Sequence, residues 1–123
     1  MLVHACADGQ IEVSPKSQTA AAGDQVQIQC NISIENQHGV VWEFKGNGSI
    51  PETLCNASGV TEKFAEKYDC QNSATTYTLL INHVSANDAG VYTCTEDGGR
   101  GPGKDSAILT VDLTSGINIS LTV

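Results

Sequence analysis

Few residues in this 123-residue chain have the type and spacing that covalent chemistry needs. The histidines, His4, His38 and His83, lie far apart. Ser85, His83 and Asp88 are close in sequence, and a hydroxyl, an imidazole and a carboxylate are the parts of a nucleophilic triad. They crowd one short segment, however, which suits a structural corner better than a cleft. Gly98, Gly99, Gly101 and Gly103 do not form a phosphate-cradling loop after a strand, and a hairpin explains them. The acidic residues are scattered, and Glu96-Asp97 alone offers too few oxygens for calcium. None of the five cysteines forms a C-x-x-C pair, so neither a zinc cluster nor a redox motif is expected. These absences predict no enzyme, no metal and no cofactor, and leave a binding module.

The cysteines and asparagines speak instead about compartment. Five cysteines in so short a chain point to an oxidising environment. Ala5-Cys6-Ala7 before Asp8 resembles an A-x-A cleavage site, with Leu2-Val3 as the end of an apolar stretch. Residues 1–7 are therefore expected to be a signal-peptide remnant, which removes Cys6 and leaves four cysteines to pair. Four N-x-S sequons, at Asn31, Asn47, Asn56 and Asn118, are candidate glycosylation sites in the same extracellular setting. The net charge of −8 argues against nucleic acid and against an anionic membrane surface, since little here would neutralise phosphates. No stretch approaches the roughly 20 apolar residues of a membrane span, so an anchor is expected only beyond Val123.

The elements that must position these residues alternate with the period of a strand. Ile11-Glu12-Val13 alternates until Pro15 breaks the pattern, as a kinked edge strand would. Val26, Ile28, Cys30 and Ile32 point one way, while Gln25, Gln27, Gln29 and Asn31 point the other. Val40, Trp42 and Phe44 face in, with Val41, Glu43 and Lys45 out, and Asn47-Gly48 then signals a hairpin turn. Tyr77, Leu79 and Ile81 form a further strand with Val84 behind it, and Ala107, Leu109 and Val111 form the last. Ile117 to Val123 alternates again, and residues 114–123 are expected to be a linker or the start of a following domain.

Asp88-Ala89-Gly90-Val91-Tyr92-Thr93-Cys94 reads D-x-G-x-Y-x-C, with Cys30 upstream and Trp42 about a dozen residues after it. In this order the residues resemble an immunoglobulin domain, and the resemblance runs from about Gln10 to Leu113. It implies an all-β immunoglobulin-like sandwich at residues 8–113, with two antiparallel sheets in Greek-key order. Cys30 would pair with Cys94 beside Trp42, Tyr92 and Leu79 would lie in the core, and Tyr92 would anchor its hydroxyl on nearby backbone. The 64 positions from Cys30 to Cys94 are close to a variable-type (V-set) spacing, with an I-set domain as the alternative. Glu62-Lys63-Phe64 resembles the start of strand D, which implies a structural Lys63–Asp88 ion pair.

Two features depart from antigen-receptor variable domains. Arg100 stands where an aromatic residue would precede Gly101-Pro102-Gly103, and Leu109 follows at a longer spacing, which argues against antibody-style pairing. The second is an extra pair, Cys55 and Cys70, flanking strand D where some costimulatory receptors on T cells carry a second disulfide. A C″-to-D bridge there would close a loop of about 16 residues, worth on the order of 3 kcal/mol. A glycan on Asn31 would cover the A-B-E-D sheet and leave the C′-C-F-G sheet free. On that sheet Val41, Glu43, Lys45, Thr93 and Thr95, with Glu96, Asp97 and Arg100 of the F–G loop, are the candidate contacts. The whole resembles animal V-type immune or adhesion receptors, including non-vertebrate chordate ones with partial joining-like features. It implies a protein ligand or a second copy as partner, with a secreted effector that binds carbohydrate or microbial surfaces as the alternative.

Overall fold

The computed structural model describes residues 11–32, 39–46, 48–56, 59–73, 75–96 and 103–113, with Lys63 described by its backbone alone. Both terminal segments, the turn residue Asn47 and the tip of the last hairpin, with Asp97, Arg100 and Gly101-Pro102, lie outside these residues. The strands are β1 (Ile11–Ser14), β2 (Ser17–Ala21), β3 (Val26–Ile32), β4 (Val40–Gly46), β5 (Glu52–Asn56), β6 (Gly59–Val60), β7 (Tyr68–Asn72), β8 (Thr76–Ile81), β9 (Gly90–Glu96) and β10 (Lys104–Asp112). They form a four-stranded sheet, β1-β3-β8-β7, and a six-stranded sheet, β2-β10-β9-β4-β5-β6. In immunoglobulin lettering these are A-B-E-D and A′-G-F-C-C′-C″, so the sandwich expected from the sequence is the one found.

Two-residue alternation buries one face of each sheet. On β3, Val26, Ile28, Cys30 and Ile32 are buried and the residues between them are not. Trp42, Tyr92, Leu79 and Leu109 are almost wholly inaccessible, and each such side chain contributes roughly 1.5–3 kcal/mol on leaving water. The Cys30–Cys94 disulfide crosses between the sheets beside Trp42. The phenol of Tyr92 donates to the Asp88 carbonyl at 2.7 Å, so the tyrosine anchor forms as expected. Burial pushes the Tyr92 pKa up, and it pushes that of Tyr68 up to about 12, so both rings stay neutral.

Asp88 itself is buried, and its carboxylate accepts from the Ser85 amide at 2.7 Å. Among the described side chains the cation placed on it is Lys67, with Nζ 2.7 Å from Asp88 Oδ2 and 2.8 Å from the His83 carbonyl to which it donates; the side chain of Lys63, expected there, lies outside those described. The segment in between differs from the expectation. Glu62-Lys63-Phe64 is a 3₁₀ turn and not the start of strand D, which begins only at Tyr68. Three residues of turn, Phe64, Ala65 and Glu66, lie between Lys63 and Lys67. The corner also explains Gly90: a Cβ there would stand 2.5 Å from the Lys45 carbonyl oxygen.

The N-terminal segment changes sheets. β1 pairs antiparallel with β3, a cis Ser14–Pro15 bond follows, and β2 pairs parallel with β10. Pro15 was legible as a kink, but the second strand after it was not expected. The crossing is held by Asp105, whose Oδ2 accepts from the Val13 amide at 2.8 Å and pairs with Lys16. Lys16 also donates to the Val13 carbonyl at 2.9 Å. Burial alone would raise the Asp105 pKa, but the bonds from Lys16 and from the Val13 and Ser106 amides, with the Lys16 charge, hold it below the usual range. A carboxyl lowered in this way stabilises the fold above its unfolded pKa of about 3.9, and the contribution disappears as pH falls through the folded value. Asp105→Asn is therefore expected to be less stable than the parent at neutral pH, with the gap narrowing in acid. Urea melts at about pH 7 and about pH 3 check this, and an equal gap at both would contradict it.

Candidate functional site

The register of the six-stranded sheet assembles its outward face row by row. Val41 lies opposite Thr95, which lies opposite Lys104. Glu43 lies opposite Thr93, which lies opposite Ser106, and the Thr93 and Ser106 hydroxyls are 2.8 Å apart. Lys45 lies opposite Val91, which lies opposite Ile108. All nine alternate with the inward set of buried Trp42, Tyr92, Cys94, Ala107 and Leu109 and half-buried Phe44, so one pleat decides both core and face. Lys45, Lys104 and Ile108 are exposed and the other six are half-buried.

The expected contacts are distributed as follows. Val41, Glu43, Lys45, Thr93 and Thr95 come together on this face. Glu96 does not belong to the loop: it is the last residue of β9, opposite the buried Val40, with its amide donating to the Gly103 carbonyl at 2.9 Å. Its position has the parity of the core side, because F continues one pair further than the glycine run suggested. Asp97 and Arg100 lie outside the described residues. Val91, Lys104, Ser106 and Ile108 were missed as face residues. The signal was available, since the inward set Ala107, Leu109 and Val111 forces Ile108 outward, where an isoleucine 53 % exposed is out of character.

This face ends at the C′ edge in an irregularity. Trp42 pairs with Cys55 and Glu43 with Thr53, which leaves Leu54 as an extra residue on β5. The bulge lets two consecutive side chains, Leu54 and Cys55, both turn into the core. Cys55 thereby reaches Cys70 on β7 in the other sheet. The second disulfide forms as the resemblance implied, but from C′ and from within D, rather than from C″ around it. It ties β5 to β7 where the 3₁₀ segment crosses the open side of the sandwich. Of the sequons, Asn31 is half-buried on β3 and accepts from the Thr76 hydroxyl at 2.9 Å, whereas Asn56 is exposed at the end of β5. Asn47 and Asn118 lie outside the described residues. Among the described residues no three His, Cys, Asp or Glu side chains are grouped to hold a metal, and no helix is long and apolar enough to cross a membrane.

A family model described as an immunoglobulin domain matches residues 10–97 of this chain. An Ig kappa chain V region (3368) of Oryctolagus cuniculus is 32 % identical over 92 residues, covering 74 % of this chain and 83 % of the relative. The matched span takes in both cysteines of the inter-sheet bridge, Trp42 and the Asp88–Tyr92 corner.

The paired variant Cys55→Ala with Cys70→Ala is expected to lose about 3 kcal/mol, the loop-closure value, while keeping the fold. Denaturant melts of the oxidised parent and the variant measure this. Equal stability would mean that the bridge constrains nothing.

Proposed function

Because the chain belongs to the immunoglobulin family and carries a variable-type strand set, we propose that it is the extracellular recognition module of an immune-type or adhesion receptor. It docks a protein ligand on the outward face of β4, β9 and β10. The observation that carries this reading is the register: three strands place hydroxyls, both signs of charge and the apolar pair Val91 and Ile108 on one continuous surface. An apolar pair in one row beside two polar rows gives the mixed composition of a modest, reversible protein interface. The second disulfide and the β5 bulge stiffen one border of this surface, which lowers the ordering cost of docking. In this reading Arg100 and Asp97 extend the same surface from the hairpin tip, and catalysis has no part.

The test uses glycans as wedges. Ile108→Asn creates a sequon with Thr110 in the apolar row of the face, and Thr76→Asn creates one with Thr78 on the opposite sheet. Multivalent domain carrying each glycan, its occupancy verified by mass, is stained onto a panel of animal cells. Ile108→Asn is expected to cut staining by roughly tenfold or more, since a glycan replaces the most exposed apolar side chain of the face, and Thr76→Asn to leave it. Staining lost only with Thr76→Asn would refute the face. Light scattering of the same proteins shows whether the partner is a second copy, and glycan arrays show whether it is a saccharide.

A further inference from the structure

The sequons are the one chemical motif that the docking surface does not absorb, and the two described ones are not equivalent. Asn31 lies within β3, paired to Glu12 on one side and Thr76 on the other, with its amide oxygen bonded by the Thr76 hydroxyl. Asn31 is also half-buried, so its amide is the less accessible of the two to a transferase. Asn56 is exposed, and it lies opposite Gly59 across a hairpin whose second strand, β6, is only two residues long. Because the neighbouring Cys55 is buried toward the core, Asn56 projects on the outward side of the six-stranded sheet. Gly59, opposite Asn56, has φ +125 and open space where a Cβ would stand, while Val60 after it packs against the core.

We propose that Asn56 is the N-glycan attachment site among the described sequons, and that its glycan walls off the C′-C″ edge of the docking sheet. This rests on the extracellular reading above and narrows it. In the transfer, the Asn56 amide nitrogen attacks the first sugar carbon of a lipid-pyrophosphate-linked oligosaccharide. A C–N bond forms as the C–O bond to pyrophosphate breaks, the lipid pyrophosphate leaves with the electron pair, and the amide gives up one proton. The sequon's Ser58 supplies the hydroxyl that the transferase reads. A bulky polar group there serves two ends. It blocks edge-to-edge pairing at β6, a hazard that any exposed sheet edge carries. It also removes β5 and β6 from the surface a protein can approach, leaving the rows on β4, β9 and β10.

The experiment is glycopeptide mass spectrometry on the full chain, secreted from animal cells behind a heterologous leader. Digests are compared with and without peptide-N-glycosidase in heavy-oxygen water, which marks each formerly occupied asparagine as a labelled aspartate. Asn56 is expected to be occupied in most molecules and Asn31 in few, and Ser58→Ala is expected to abolish the Asn56 signal. A bare Asn56 in the secreted protein overturns the proposal, as does equal occupancy of Asn31. Because the leader forces secretory passage, either failure concerns the site alone, whereas the receptor reading fails separately, through the staining of the wedge variants.

Discussion

The structure depends on how β9 is held. Cys94 is tied across the sandwich to Cys30, and two residues earlier the Tyr92 hydroxyl is anchored on the Asp88 carbonyl. Together these fix the phase of the strand, because a slip of one residue would put both side chains on the wrong face. Asp88 is held in turn by Lys67 and the Ser85 amide, and Gly90 lets the chain pass within contact of the Lys45 carbonyl. With β9 in that phase, Val91, Thr93 and Thr95 face outward, and β4 and β10 follow through their registers. Core and candidate face are two sides of one constraint.

That constraint was legible in the residues because it is local and made of types with few alternatives. The D-x-G-x-Y-x-C stretch, Cys30, Trp42 and the alternation of β3 gave the sandwich and its principal bridge. The parts that were not legible are those where the chain leaves regular alternation. The ion pair of Lys67 with Asp88 was not legible, because nothing in Glu62-Lys63-Phe64 announces a 3₁₀ turn ahead of strand D. The strand after Pro15 carries small and polar residues, and its parallel pairing to β10 is a long-range contact with no local signature. The bulge at Leu54-Cys55 is likewise decided by the partner strand and by Cys70, not by its own composition. Ile108 was readable as an outward apolar residue and was passed over because strand G was read only for its core side.

Function follows the same division. The family, and with it the class of recognition module, rests on the constrained part that the matched span covers. The proposed docking surface rests on the register, where two rows rich in polar residues lie beside the row of Val91 and Ile108. Its borders differ: on one side the edge strand β2, tied down by Asp105 through Val13 and Lys16, and on the other the bulged and bridged β5 with Asn56 at its end. Two stiffened borders would lower the reordering cost of the docking proposed for this face.

Hydroxyl-radical footprinting of the oxidised domain tests the phase of β9 and β10 most directly, since it reads the exposure of each side chain without needing a ligand. The account predicts oxidation at Ile108 and Val91, with Tyr92 and Leu109 protected until the domain unfolds, despite the greater intrinsic reactivity of a phenol. Early oxidation of Tyr92 or Leu109, with Ile108 protected, would place the opposite set of residues outward and contradict both the core and the face described.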